Sequence, residues 1–352
     1  MEKKANVDDN LPDLIPDEDA LNEILTRPRP VLVEFIRQVC NPLVILGAGG
    51  KMGPSLAVLA RRAAQAAGYP LEILAASRFS DENTRRWLED NGVMTLPCDL
   101  MQREQLDRLP DAENVIYLVG MKFGTSQNPS RTWAFNTLAP AHVCQRYPGS
   151  RMVALSSGNV YPLVSTSSRG AVETDPLTPL GEYANSCIAR ERIFEYFSQE
   201  KGTPIAILRL NYALDLRYGV LFDIARKVFD GLPVDTNMGY ANCIWQGDAN
   251  EAILRSLALA RSPAVPFNLT GPQKLSVREL ALRFGELMKK PVTITGTEAS
   301  TALLSNNSRL SACLGEPATP IDVVLKWTAH WVSQGGKSLN KPTHFDVRDG
   351  GY

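Results

Sequence analysis

The apolar and polar positions change their rhythm near residue 42. Before it, Leu21, Ile24 and Leu25 keep helical spacing behind Asp17 or Asp19, either of which could cap a short helix. Pro28 and Pro30 interrupt that spacing, and residues 31–39 resume it. After it, Leu43-Val44-Ile45-Leu46 is a short apolar run that stops at glycines, as a strand buried on both faces would. Residues 55–67 then follow helical spacing. Further apolar runs at 71–76, 115–119, 152–155 and 205–210 predict strands, and stretches at 84–90, 133–146 and 183–199 predict helices between them. Strand and helix in alternation predict an α/β fold with a doubly wound parallel sheet. Past Tyr212 the alternation weakens. Helices are predicted at 221–229, 248–260, 277–288 and 321–331, with a short strand at 291–294. The polar, glycine-rich stretch 335–352 predicts irregular structure.

Three regions follow: an N-terminal helical extension at 1–41, a nucleotide-binding domain at 42–211, and a smaller mixed α/β region at 212–352 that would bind substrate. A chain of 352 residues is long enough for that pairing. The extension reads either as a solubilising arm or as a segment packed on the main domain or on a second subunit. It is crowded with acids (Asp8, Asp9, Asp13, Asp17, Glu18 and Asp19) and lacks the basic start and apolar middle of a secretory signal. A net charge of −1 supplies no global field for nucleic acid or an anionic membrane. No apolar run has the length of a membrane span. The cysteines (Cys40, Cys98, Cys144, Cys187, Cys243 and Cys313) form no CxxC pair, and the histidines are only His142, His330 and His344. Neither a disulfide framework nor a metal centre is suggested, and a cytoplasmic location is expected.

The first strand of the alternating part ends in Gly47-Ala48-Gly49-Gly50-Lys51-Met52-Gly53. Gly47, Gly50 and Gly53 give a G-x-x-G-x-x-G spacing, and Gly49 adds a G-x-G. Such a turn lets backbone approach a pyrophosphate with no Cβ in the way, at the positive end of the helix that follows. Between a strand and a helix the motif points to a dinucleotide, with Lys51 and Met52 in the same turn. A Rossmann-like arrangement for NAD normally ends its second strand in a carboxylate that holds the ribose hydroxyls. Here that tip reads Ser77-Arg78, which suits a 2′-phosphate and slightly favours NADP over NAD. Asp81 could still curl back to a ribose.

Later motifs carry a resemblance. Asp99-Leu100 follows the third strand, and Asn136 lies in a central helix. Ser156-Ser157-Gly158-Asn159-Val160-Tyr161 closes a strand. Tyr183-Ala184-Asn185-Ser186-Cys187 opens a helix, and Arg209-Leu210-Asn211 ends another strand. In this order, from about Pro42 to about Thr270, the chain resembles the extended short-chain dehydrogenase/reductase family, which includes the nucleotide-sugar epimerases. The resemblance implies that Tyr183 is the catalytic acid/base and Ser157 the hydroxyl that orients the substrate. It implies an adenine-side contact at Asp99 and Leu100, and substrate near Asn159 and Asn211. It also implies that Val119, Gly120 and Asn136 border the nicotinamide ribose, and that helices 133–146 and 183–199 could pair in a homodimer. Sugar 4,6-dehydratases of the family carry two acids where this chain has Gly158-Asn159, which disfavours that reaction.

The family lysine one turn after the tyrosine is replaced by Cys187. An unperturbed tyrosine titrates near ~10. A unit charge at ~4 Å and an effective dielectric of ~20 contributes roughly 4 kcal/mol, or about a thousandfold in phenolate. Lys122, between Gly120 and Gly124 just after a buried strand, is the residue expected to supply the missing cation. A lysine in solvent is the plainer reading of it. Cys187 itself has no histidine nearby in sequence to make it a nucleophile. Asp248 is expected to be a helix N-cap, and Trp133 and Trp245 to be core or wall. The expected activity is redox or epimerase chemistry on a secondary hydroxyl or ketone of a sugar- or polyol-like molecule. The rival expectation is a dinucleotide-binding sensor or scaffold without turnover.

Overall fold

The computed structural model describes residues 11–122, 124–341 and 343–351. Seven parallel strands form the central sheet: β1 Leu43–Leu46, β2 Ile73–Ser77, β3 Met94–Pro97, β4 Asn114–Tyr117, β5 Arg151–Ser157, β6 Ile205–Leu210 and β7 Val265–Leu269. Their order is β7-β6-β5-β4-β1-β2-β3, with Leu43 of β1 beside Ile73 on one side and Asn114 on the other. The helices are α1 Glu18–Leu25, α2 Pro30–Phe35, α3 Gly53–Ala66, α4 Glu82–Asp90, α5 Arg103–Leu106, α6 Pro129–Arg146 and α7 Glu182–Lys201. After them come α8 Val220–Phe229, α9 Gln246–Arg255, α10 Val277–Met288, α11 Ser308–Leu314 and α12 Ile321–Ser333.

Side chains alternate across a strand, so a strand covered on both faces must be apolar at every position. Leu43 and Ile45 point into the core under α3, while Val44 and Leu46 join the core that holds Ala139 and Val143 of α6. Each such side chain contributes roughly 1.5–3 kcal/mol when fully buried. After β3 the chain returns to the far side of β1 to lay down β4. Successive crossovers therefore diverge between β1 and β4, and a crevice opens at the carboxyl ends of those strands.

The seventh strand comes from beyond residue 211. β7 runs parallel to β6, Val265 beside Ala206 through Leu269 beside Leu210. The expected boundary at 211 thus falls inside the sheet. Its sequence, Val-Pro-Phe-Asn-Leu, has no continuous apolar run, because Asn268 is a buried polar position. Its amide donates to the carbonyls of Ala171 (2.9 Å) and Asn306 (3.0 Å) and accepts from the Tyr161 hydroxyl (2.8 Å). α9 also packs on the sheet domain, where Gln246 and Asn250 each donate to Ser55 Oγ at 2.9 Å. β3 had no apolar signal either, since Met94 and Pro97 are exposed at the sheet edge.

The described part of the extension is seated rather than dangling. Asp17 caps α1 by accepting from Ala20 N at 2.9 Å, and Leu21 and Leu25 are buried. Arg29 pairs with Glu251 of α9 at 2.5 and 2.8 Å. Asp8 and Asp9 lie outside the described residues. Asp248 is not the cap of α9: Trp245 holds that position, and the buried Asp248 carboxylate accepts from Thr319 N at 2.9 Å. The sequence pattern missed this because the helix starts two residues earlier. Trp245 packs edge-on against Trp327 in the core, and the half-buried Trp133 donates to Glu182. Among the described residues, no helix is long and apolar enough to cross a membrane and no cluster of His, Cys, Asp and Glu could hold a metal.

Candidate functional site

The turn after β1 is drawn against β2, where Gly47 N and Ala48 N both donate to Ala76 O at 2.8 and 3.2 Å. Gly47 has φ +85°, and a Cβ there would stand 2.6 Å from Val119 Cγ2. At Gly53 a Cβ would stand 2.5 Å from the Ala48 backbone, so only glycine lets α3 start this close to the turn. Gly49 sits against Ser77 Oγ in the same way, and Gly50 N closes the turn on Gly47 O at 3.1 Å. No side chain caps the first turn of α3, which has Pro54 at its start and Met52 before it. Its leading N–H groups and positive dipole end therefore face the turn. Shape and polarity both fit the pyrophosphate of a dinucleotide. Lys51 flanks the turn with its amine 4.5 Å above the Tyr218 ring. Burial, then repulsion from Lys341, lowers Lys51 to about 8, with Asp223 opposing.

Ser77 closes β2, and the exposed Arg78 lies with its guanidinium 5.5 Å over the Phe135 ring. Asp81 caps α4, accepting from Asn83 N at 3.1 Å and from the Thr84 hydroxyl at 2.7 Å. That engagement turns its carboxylate toward the helix. Asp99 accepts from Met101 N at 3.0 Å, and Leu100 is buried beside it.

Beyond β4, the fully buried Asn136 of α6 fixes the next loop. It accepts from Met121 N (3.1 Å) and donates to Met121 O (3.3 Å) and to Ser186 Oγ of α7 (2.8 Å). Val119 and Gly120 lie just before this knot. Lys122 lies just after it, with its amine 5.7 Å from the Tyr183 ring centroid and donating to Thr343 O at 3.2 Å. Burial and then the Lys51 charge push Lys122 down to about 8, with Cys187 opposing.

Ser157 ends β5, where its hydroxyl donates to Asn159 Oδ1 at 3.0 Å and accepts from Asn159 N at 3.1 Å. Tyr183, 8% exposed at the start of α7, lies close enough to the Ser157 hydroxyl and the Cys187 thiol for both to act on its phenol. Burial pushes its phenol well above the ordinary range, and Cys187 adds to this, while Arg190 and Ser157 oppose it. Burial likewise raises the Cys187 thiol, against the pull of Arg190. A neutral phenol in this setting is a proton donor first; the base role needs a cation beside it. Asn211, at the end of β6, is buried and packs close to Gly158, with its amide donating to Leu303 O at 3.4 Å.

A cleft of about 260 Å³ at the carboxyl ends of the strands joins Gly47, Lys51, Lys122, Ser157, Asn159 and Asn211. Ser77, Arg78, Asp99 and Leu100 are not in this cleft; they lie at the ends of β2 and β3. Gly49, Val119, Gly120, Asn136 and Tyr183 lie outside its lining too, with Tyr183 buried behind it. A larger hollow of about 690 Å³ touches residues 111–114 and 148–151 at the opposite ends of the strands and holds none of these groups. Three residues at or behind the site belong to no motif of the sequence. Tyr218 and Thr343 line the cleft from segments without a motif. Arg190 lies three residues after Cys187, on the same face of α7, and that spacing alone could have pointed to it.

Residues 43–213 match the model of the NAD dependent epimerase/dehydratase family. No curated protein matches the sequence. Solved structures share the fold at low identity. The UDP-glucose 4-epimerase of Thermus thermophilus in complex with NAD is 19% identical, with a TM-score of 0.65 over 82% of this chain and 98% of that one. The dTDP-glucose 4,6-dehydratase of Bacillus anthracis in complex with NAD is 14% identical, with a TM-score of 0.71 over 84% and 97%. RMD from Pseudomonas aeruginosa complexed with NADPH is 20% identical, with a TM-score of 0.66 over 84% and 100%.

Proposed function

We propose, from the match of residues 43–213 to the model of the NAD dependent epimerase/dehydratase family, that the protein is an oxidoreductase or epimerase. Its substrate would be a sugar- or polyol-like molecule with a secondary hydroxyl or ketone. The observation that carries the reading is the Ser157 hydroxyl and the Tyr183 phenol brought together on the same side of the sheet as a glycine cradle at the mouth of α3. When bound, the dinucleotide supplies the hydride donor or acceptor. Ser157 holds the substrate oxygen. Tyr183 gives its proton to that oxygen when a ketone is reduced and takes the proton when an alcohol is oxidised. Its raised pKa favours the reducing direction. Asn159 and Asn211 orient the rest of the substrate from the ends of β5 and β6.

NADP is the favoured cofactor. Ser77 and Arg78 occupy the tip of β2, and Asp81 is engaged as a helix cap instead of facing a ribose. One observation favours the second reading, a dinucleotide-binding sensor: the buried thiol of Cys187 beside Tyr183, where the resemblance implies a lysine. Turnover separates the two. With NADPH or NADH and a panel of ketoses and nucleotide sugars, consumption of reduced cofactor or interconversion of epimers is expected. Tyr183→Phe should lower it by about 10²–10⁴-fold with cofactor affinity unchanged. Tight cofactor binding with no turnover on the panel would favour the sensor.

A further inference from the structure

The floor beneath Tyr183 holds a charge that the cleft does not show. Arg190 of α7 is 3% exposed. One guanidinium nitrogen donates to Val119 O at 3.0 Å and the other to the Cys187 thiol at 3.3 Å, while Nε is buried without a partner. A Cβ on Gly120 would collide with Nη1, so the guanidinium lies directly under the backbone of the loop after β4. The carboxylate next to it in sequence, Glu191, is engaged elsewhere: it binds Arg209 of β6 at 2.8 Å and accepts from Ser156 at 2.5 Å. A guanidinium stays protonated at any working pH. Burying one away from its own carboxylate is unfavourable unless nearby groups use the charge.

The groups that face it are few. From its own helix they are Tyr183, Cys187 and Glu191; from β4 it meets Tyr117. Lys122, the other cation near Tyr183, comes from the loop after β4, and it loses its proton near 8. Arg190 does not lose its own, so above that pH it is the cation that remains under the phenol.

We propose that Arg190 is the positioning residue that gives Tyr183 its permanent positive neighbour, seated by the Val119 carbonyl, the Cys187 thiol and the bare face of Gly120. The proposal rests on the reading of Tyr183 as the proton-transfer group, but its test needs neither cofactor nor substrate. A fluorinated tyrosine at position 183 of the full chain brings the ionisation into reach, and the ¹⁹F signal reports it against pH. Arg190→Met should lower the ionisation constant by at least about tenfold, and Arg190→Lys should restore most of it. Should Arg190→Met fail to fold, Gly120→Ala on the exposed loop pushes Nη1 from its seat and should lower the constant by about threefold or more. A change below about twofold in the folded variants, or an equal fall in Arg190→Lys and Arg190→Met, overturns the proposal. An ionisation that depends on Arg190 in a protein with no turnover overturns the catalytic reading and keeps the charge coupling. An ionisation independent of Arg190 in an active enzyme does the reverse.

Discussion

The two ends of the cleft work by different physics. The glycine turn is a site of shape: bare backbone from consecutive residues, closed by its own N–H groups, with an uncapped helix behind it. The floor under Tyr183 is a site of charge. It is assembled from α7, the loop after β4 and the C-terminal stretch, whose Thr343 carbonyl receives the Lys122 amine. A shape made of neighbouring residues is written as a local motif. A charge balance made by distant segments is not, and a single substitution at one member can be offset at another.

That contrast can be broken from either side. Gly47→Val should reduce dinucleotide affinity by at least about a hundredfold in calorimetry, because the backbone needs a positive φ there and Val119 fills the space. An unchanged affinity would mean that shape does not decide binding at this end. Cys187→Lys tests whether the charge slot is already filled. With Arg190 in place, two cations would share one buried pocket, and unfolding free energy should fall by about 1–3 kcal/mol. A more stable variant would show the slot to be empty.

The smallest effect is the pH response of Lys122. Its folded pKa of about 8 lies below the ordinary 10.5. Below 8 the amine is charged in both states and the burial penalty is fully present. Between about 8 and 10.5 the unfolded chain still holds a proton that the folded one has released, so stability rises with pH. Lys122→Met should therefore be more stable than the parent near pH 7, by on the order of 1 kcal/mol after allowance for partial hydration of the amine. The gap should close above pH 10.5. Urea melts at pH 7 and pH 10 with the same gap would remove Lys122 from the buried cluster.

The same contrast explains what could be read in advance. β1, the turn and the start of α3 were legible because each is a short run whose neighbours in sequence are its neighbours in space, whereas Ser157 and Tyr183 were singled out by the order of their motifs. β7 was not, since Pro266 and Asn268 break its apolar run and the reason for Asn268 is a network with Tyr161, Ala171 and Asn306. Arg190 sits in Arg190-Glu191-Arg192, which reads as a solvated helix face, yet the first two are buried and the third is exposed. Which of three adjacent charges turns inward is decided by Val119 of the loop after β4 and Arg209 of β6, at other points of the chain. Thr343 reaches the cleft from a polar stretch whose anchors, Phe345 in the core and Asp223 as acceptor of the Thr343 N–H, lie outside any motif.

Calorimetric titration of the full chain with NADP⁺ and with NAD⁺ bears most directly on all of this. One site per chain is expected, with dissociation constants in the micromolar range and NADP⁺ tighter by about tenfold through Arg78. A folded protein that takes up neither coenzyme would contradict the account.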